Sequence, residues 1–304
     1  MNQNILFYGN EEALNEVAKK GSETDIRYYN SKIEGSEITF LSPFKFPERI
    51  QTLLNAISIS NKAIIAVDQI DRSVGEFILS LYYYDIKNLG VIGDESTLST
   101  IRNVTKGTWI EVIPLKPTYE DFLHFISIPT GAPRNRTIVV VDQTFPVKGV
   151  GTVSLGFVMG GIIKKHMQMK SYPSGKNVEI KSIQMQDVDV ESSGPFSRVG
   201  LAFRNSEVDD VPKGSILFEN EELQFTENLR LNVNINPAVK SRPSVGEKIQ
   251  INFLFNNLNA EISDISENSY LIDVSRKVPL IDEIFSLSSL NSNPRIIGAG
   301  KPEH

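Results

Sequence analysis

Gly9 stands five residues ahead of Leu14, Asn15 and Glu16. Those are the positions where a phosphate-binding loop, Gly-x-x-x-x-Gly-Lys-Ser/Thr, needs a glycine, a lysine and a hydroxyl residue. The chemistry is specific: bare backbone amides wrap the phosphates, the lysine reaches them, and the hydroxyl ligates magnesium. Leucine, asparagine and glutamate supply none of it. Glu11, Glu12 and Glu16 would also set negative charge where a polyphosphate would approach. After the apolar run Ile38–Leu41, a magnesium-binding turn Asp-x-x-Gly would be required, and the chain offers Ser42, Pro43, Phe44 and Lys45. Guanine recognition needs Asn-Lys-x-Asp after a later strand; residues 90–97 do not contain it, and the Asn61-Lys62 pair precedes a strand. Asp68 and Asp71 are spaced like a metal pair but read better as a turn and a helix cap. No catalytic group, metal site or cofactor is expected.

These positions belong to a segment that alternates strand and helix. Ile5–Tyr8 reads as a buried strand and residues 10–20 as a helix with Ala13, Leu14, Val17 and Ala18 on one face. Further strands are expected at Glu37–Leu41, Ala63–Val67, Leu89–Ile92 and Trp109–Ile113, and helices at Pro47–Ile59, Ser73–Tyr84, Ser96–Val104 and Tyr119–Ile126. This order predicts a mostly parallel sheet with helices on both faces over residues 1–130. A proline-rich linker near 114–133 closes it.

From Arg136 the pattern changes to short apolar runs broken by glycine and proline every eight to twelve residues or so, the mark of a small closed β-barrel. Strands are expected at Thr137–Gln143, Val150–Val158, Met167–Ser171, Val178–Met185, Arg198–Phe203 and Ser215–Leu217. A second barrel is expected over 219–304, with strands near Leu229–Ile235, Lys248–Leu254, Leu258–Ile265, Asn268–Val274 and Arg295–Ala299, and a long connection at Asn236–Gly246.

The 304 residues contain no cysteine, which excludes disulfides and thiolate metal sites. His124, His166 and His304 are scattered and read as surface or packing residues. No signal sequence or membrane-length apolar run is present, so a cytoplasmic protein with no membrane partner is expected. Net charge is −6, yet residues 135–218 carry 10 basic against 8 acidic side chains between acidic flanks, a weak lean toward an RNA backbone. DNA is not expected.

The wording of the middle segment is specific. Phe145–Val153 (FPVKGVGTV), Gly160–Lys165 (GGIIKK), Tyr172–Gln184 (YPSGKNVEIKSIQ), Arg198–Ala202 (RVGLA) and Val211–Leu217 (VPKGSIL), in this order, resemble the second domain of translational GTPases. The selenocysteine-specific elongation factor is the nearest in pattern, with elongation factor Tu and the gamma subunit of initiation factor 2 beside it. The resemblance implies a degenerate P-loop-type G domain at 1–130, a domain-2-like β-barrel at 131–218 and a domain-3-like β-barrel at 219–304, with Arg295–Gly300 as a closing strand. In that family the second domain helps hold the acceptor end of tRNA and touches the small ribosomal subunit. Carried onto this chain, it makes Lys148 and Gly149, Lys164, Lys165 and His166, Lys176 and Arg198 the candidate RNA or partner contacts. The implied function is an elongation-factor-like protein, a possible regulator of translation, that binds ribosome or tRNA without hydrolysing GTP. Two alternatives stand beside it. One is a scaffold that docks a protein partner or a second copy through Leu81–Tyr84 and Phe44–Phe46, and the other is a factor that still binds GTP.

Overall fold

A computed structural model describes residues 2–219, 223–240 and 242–303, so His304 lies outside the described residues. The chain divides into two compact units, one formed by Gln3–Thr130 with Phe225–His304 and the other by Gly131–Gln224.

In the first unit, strands β1 (Gln3–Gly9), β2 (Lys19–Glu23), β3 (Arg27–Ile33), β4 (Ser36–Ser42), β5 (Lys62–Ala66), β6 (Asn88–Ile92) and β7 (Glu111–Pro114) form one sheet in the order β2-β3-β4-β1-β5-β6-β7. The strands from β4 to β7 pair in parallel, and β2 and β3 add an antiparallel edge. Parallel strands are covered on both faces, so they read as continuous apolar runs rather than alternations, as in Ile5–Phe7 and Ala63–Ala66. Helices α1 (Ile50–Ser58), α2 (Arg72–Tyr83), α3 (Glu95–Thr105) and α4 (Tyr119–Ser127) connect or follow them. Ile5, Phe7, Ile38, Phe40, Ile64 and Ala66 pack in one cluster with Phe122 and Phe125 of α4.

The helix expected over residues 10–20 does not form. Glu11–Leu14 makes a single 3-10 turn, and the chain then enters β2, where Lys19 and Lys20 pair with Asn30 and Tyr29. The apolar period of Ala13, Leu14, Val17 and Ala18 is real, since all four join the core cluster. Tertiary strand pairing overrides a run of about three turns, too short to hold as a helix by itself.

Lys62 is fully buried in β5, and its Nζ donates to the carbonyls of Phe125 (2.6 Å) and Ile126 (2.8 Å). It thereby satisfies orphan carbonyls at the C-terminal end of α4, where a cation also suits the helix dipole. Burial pulls its pKa down to about 8.

Strands β8 (Ile138–Val147), β9 (Gly151–Gly160), β10 (Ile163–Lys164), β11 (Gln168–Tyr172), β12 (Asn177–Met185), β13 (Val188–Val190), β14 (Ser192–Ser193), β15 (Arg198–Arg204) and β16 (Ile216–Glu219) build the second unit. Six of them run β11-β16-β8-β9-β15-β12, and β12 pairs back with β11 to close the ring around Val139, Val158, Ile180, Leu201 and Leu217.

Strands β17 (Phe225–Ile235), β18 (Lys248–Phe253), β19 (Asn256–Ser266), β20 (Ser269–Pro279), β21 (Phe285–Ser288) and β22 (Ile296–Pro302) close a barrel of their own, which belongs to the first unit. Strand β21 is not anticipated by the apolar pattern; its four residues are all buried, with two serines among them. Along β17 the alternation is clean: Leu229, Leu231 and Val233 face inward, and Asn232 and Asn234 are exposed.

This barrel is bound to the α/β sheet through α1 and α2. Glu76 of α2, 3% exposed, accepts from the Arg295 backbone N (3.0 Å) and Nε (3.1 Å to each oxygen) and from Nη2, while Arg295 Nη1 donates to the Pro47 carbonyl at 2.7 Å. Gln51 donates to Gln250 (2.6 Å), Asn257 donates to Asn55 (3.1 Å), and the Tyr84 and Ser286 hydroxyls share a hydrogen bond of 3.0 Å. Burial pushes the Glu76 carboxyl up, but the Arg295 hydrogen bonds outweigh it and hold the group below the usual carboxylate range.

Candidate functional site

Nucleotide-binding parallel sheets use the crevice beyond the carboxyl ends of their strands. Here that crevice lies past β1 and β4, where a cavity of about 520 Å³ is lined by Tyr8, Gly9, Asn10, Glu11, Arg27 and Ser42, among others.

Gly9 has φ +116, and a Cβ there would lie 1.9 Å from the Ala66 carbonyl oxygen. The glycine is therefore required by the closeness of β1 and β5, whatever else the loop does. Beyond it several loop amides are committed to the chain. Asn10 N donates to the Ala66 carbonyl (2.8 Å), Glu12 N to the Asn10 side chain (3.0 Å), and the amides of Ala13, Asn15, Val17 and Ala18 to carbonyls of residues 10–14. Leu14 is buried in the core, and Asn15 and Glu16 are exposed.

The centre of the crevice is Glu11. One carboxylate oxygen accepts from Tyr29 Oη at 2.6 Å and from Arg27 Nη1, and the other accepts from Ser42 Oγ. Arg27 is itself steadied by Glu23 at 2.7 Å and by the Phe44 ring, 4.5 Å from its guanidinium. Burial pushes the Glu11 carboxyl up, but its bonds from Ser42, Tyr29 and Arg27 hold it below the usual range; burial and Glu11 together push the Tyr29 phenol up to about 12. A guanidinium, a phenol and a hydroxyl converging on one anion is the donor set a phosphate oxygen would use. In this chain it is taken by a carboxylate of the chain itself. The two donors from β3, Arg27 and Tyr29, are not foreseen from sequence, because that strand is missed there. Their signal is the i, i+2 spacing that sets both on one strand face.

Asp71 is the N-cap of α2, accepting from Ser73 N (2.8 Å) and Val74 N (3.2 Å). Asn61 accepts the Asn4 amide through its side chain (3.1 Å), and its neighbour Lys62 serves α4, so that Asn-Lys pair has structural work.

In the second unit the seven candidate contacts do not form one surface. Lys148 and Gly149 make the β8–β9 turn, with Gly149 at φ +80, and Lys176 lies in the β11–β12 turn; all three are exposed. Strand register sets both turns at one end of the barrel: Val147 pairs with Gly151, Lys170 with Asn177, and Lys181 Nζ donates to the Val150 carbonyl (3.1 Å). This end is not purely basic, since Ser174 Oγ holds the Asp210 carbonyl at 2.7 Å beside the acidic turn Val208–Asp210. Arg198 starts β15 at the opposite end, with its guanidinium 5.8 Å from the Phe157 ring. Lys164, Lys165 and His166 precede β11. Lys165 is paired with Glu191 (2.6 Å), and the His166 ring lies 3.3 Å from Glu179.

The aromatic residues suggested as a docking face are mostly interior. Phe46, Leu81, Tyr83 and Tyr84 are all at most 9% exposed, because the β17–β22 barrel and the core take them up.

In fold, and in part of its sequence, the chain is similar to translation elongation factors. No family profile matches it. An uncharacterized protein of Methanocaldococcus jannaschii is 28% identical over 98% of both chains. The selenocysteine-specific elongation factor of the same organism is 26% identical over 78% of this chain, which spans 56% of that factor. Among solved structures, a bacterial selenocysteine-specific elongation factor superposes on the whole chain with a TM-score of 0.84 at 15% identity, this chain covering 59% of it. The factor SelB of Methanococcus maripaludis in its apo form gives 0.82 at 21% identity, with 80% of that chain covered. Among the described residues no helix is long and apolar enough to cross a membrane.

Proposed function

We propose that this chain acts in the translation machinery as an elongation-factor-like binding protein without a nucleotide cycle. The Glu11 cluster carries the reading: the donor set that would meet a phosphate is satisfied internally, and the amides of Asn10, Glu12, Ala13 and Asn15 are spent on acceptors of the chain itself. A guanine nucleotide would have to displace a carboxylate holding three hydrogen bonds and then face Glu12 and Glu16. Such an exchange loses charge-assisted bonds for no gain in donors.

Binding then falls to the segment 131–218, with 1–130 and 219–304 as its support. The exposed turns at Lys148, Gly149 and Lys176 are the first contacts for an RNA backbone, with Lys164, Lys165 and His166 ahead of β11 and Arg198 at the start of β15 as further candidates. The partner is the ribosome or tRNA. Cosedimentation with purified ribosomal subunits and filter binding of charged and uncharged tRNA, each over a salt series, test it. Association that weakens as salt rises, and that falls further in Lys148→Glu/Lys176→Glu, is expected. No salt-sensitive association with either RNA particle sinks the reading. Titration calorimetry with GTP and GDP in magnesium tests the nucleotide half separately, and micromolar binding would revive a GTP-binding factor.

A further inference from the structure

Trp109, the one tryptophan of the chain, is 47% exposed and stacks on Tyr82 with ring centroids 4.4 Å apart and planes at 17°. The indole's orientation is fixed by the second ring. The pair lines a cleft of about 640 Å³ between the α/β sheet and the β17–β22 barrel, within the range of small-ligand sites. The opposite wall is the outer face of β17 and β22. Asn232 and Asn234 project from β17 by strand alternation, Asn268 stands in the β19–β20 turn, and Lys301 pairs with Asn232 across the ladder. Asn234 Nδ2 donates to Tyr82 Oη at 3.4 Å, joining the two walls.

The chemistry of the lining is narrow. Stacked aromatic rings offer a π-face, and three carboxamides each offer donors and an acceptor, the combination that reads the edge of a heterocyclic base. Charge is balanced rather than basic: Asp85 lines the same cleft, and Lys301 is paired with Asp282 at 2.8 Å. A polyphosphate has no place there; a base with at most one phosphate does. The cleft is also remote from the Glu11 crevice. Tyr82 and Trp109 precede β6 and β7, at the amino ends of the parallel strands, whereas Gly9 ends β1 at the carboxyl edge.

We infer that this cleft is a binding site for an unpaired nucleobase, stacked on the Tyr82–Trp109 pair with its edge on the asparagines of β17. The inference does not rest on the proposed function, because neither the Glu11 cluster nor the second unit contributes a residue. Two sources carry this chemistry, a nucleoside or monophosphate in solution and the unpaired end of an RNA strand.

The single tryptophan makes the test direct. Its emission is followed while adenosine, guanosine, cytidine, uridine, their 5′-monophosphates, ATP and short single-stranded oligoribonucleotides are titrated in. Saturable quenching is expected, with the monophosphate within a few-fold of its nucleoside and ATP no tighter. Oligonucleotide binding far tighter than any mononucleoside identifies an RNA end as the source; equal binding identifies the small molecule. Asn232→Ala/Asn234→Ala, at exposed positions, is expected to weaken binding about tenfold, the scale of one lost edge contact. By equilibrium dialysis Trp109→Ala is expected to abolish it, with an unchanged melting curve showing the fold intact. Absence of saturable quenching by any of these probes up to about 10 mM, beyond the range of a single stacked base, overturns the inference. So does quenching that the double asparagine variant leaves unaltered.

Discussion

Glu11 with Arg27 and Glu76 with Arg295 are both carboxylate–guanidinium pairs in the same compact unit, and they do different things. Glu76 and Arg295 have side chains 3% and 15% exposed and connect α2 to the β17–β22 barrel; Glu11 and Arg27, at 20% and 22%, sit in the crevice beyond the carboxyl ends of β1 and β4. A deeply desolvated pair is tolerated only with complete partners, and once complete it fixes two elements in register. The shallower pair joins a loop to a neighbouring strand and fills a space that a ligand would otherwise have. In one chain the same chemistry replaces a joint and replaces a guest.

The largest effect is expected at the deeper pair. Glu76→Ala leaves the Arg295 guanidinium buried without its acceptor and is expected to cost about 3–5 kcal/mol, read as a lower denaturation midpoint. Equal losses at Glu76 and Glu11 would erase the contrast. Glu11→Ala is expected to cost about 1–3 kcal/mol, since Arg27, Tyr29 and Ser42 lose one shared acceptor near water. It is expected to gain no GTP affinity by calorimetry, because the loop amides and the missing lysine are not restored. Acid titration sharpens the pair further. Both carboxyls sit below their ordinary value of 4.5 in the folded chain, so the stability they add is present above about pH 4.5 and is lost as pH falls through their lowered values. Glu76→Gln should therefore flatten the acid limb of stability against pH.

Lys62 gives the opposite sign. Its folded pKa of about 8 is below the ordinary 10.5, so the folded state gains stability as pH rises across that interval, and Lys62→Met is expected to lack the gain in a denaturant series. The smallest effect is at Trp109→Phe, expected to change stability by no more than about 0.5 kcal/mol while removing the protein's indole emission.

The parallel strands and their helices were legible because burial on both faces writes continuous apolar runs such as Ile5–Phe7, and because the caps Asp71 and Asp94 open α2 and α3. The barrels showed through their glycine punctuation and the clean alternation of β17. Strand β3 was not legible: Arg27, Asn30, Ser31 and Lys32 mix polar residues into its seven positions, and the strand is fixed by pairing with β2 on one side and β4 on the other. That miss hid the Glu11 cluster, since two of its three donors come from β3 and the third, Ser42, from the end of β4. Leu14, Asn15 and Glu16 are plain in the sequence, but the Glu11 cluster built beside them is a product of folding. Likewise Tyr82 and Trp109 are 27 positions apart in sequence, and only the sheet order brings them together.

Gly9 carries one more lesson. A Cβ at that position would collide with the backbone of β5, so exchanging the glycine would wedge apart the two central strands of the sheet. The residue is kept by its neighbour's carbonyl oxygen, independent of any ligand. Strand packing alone is thus enough to demand a glycine at the end of β1.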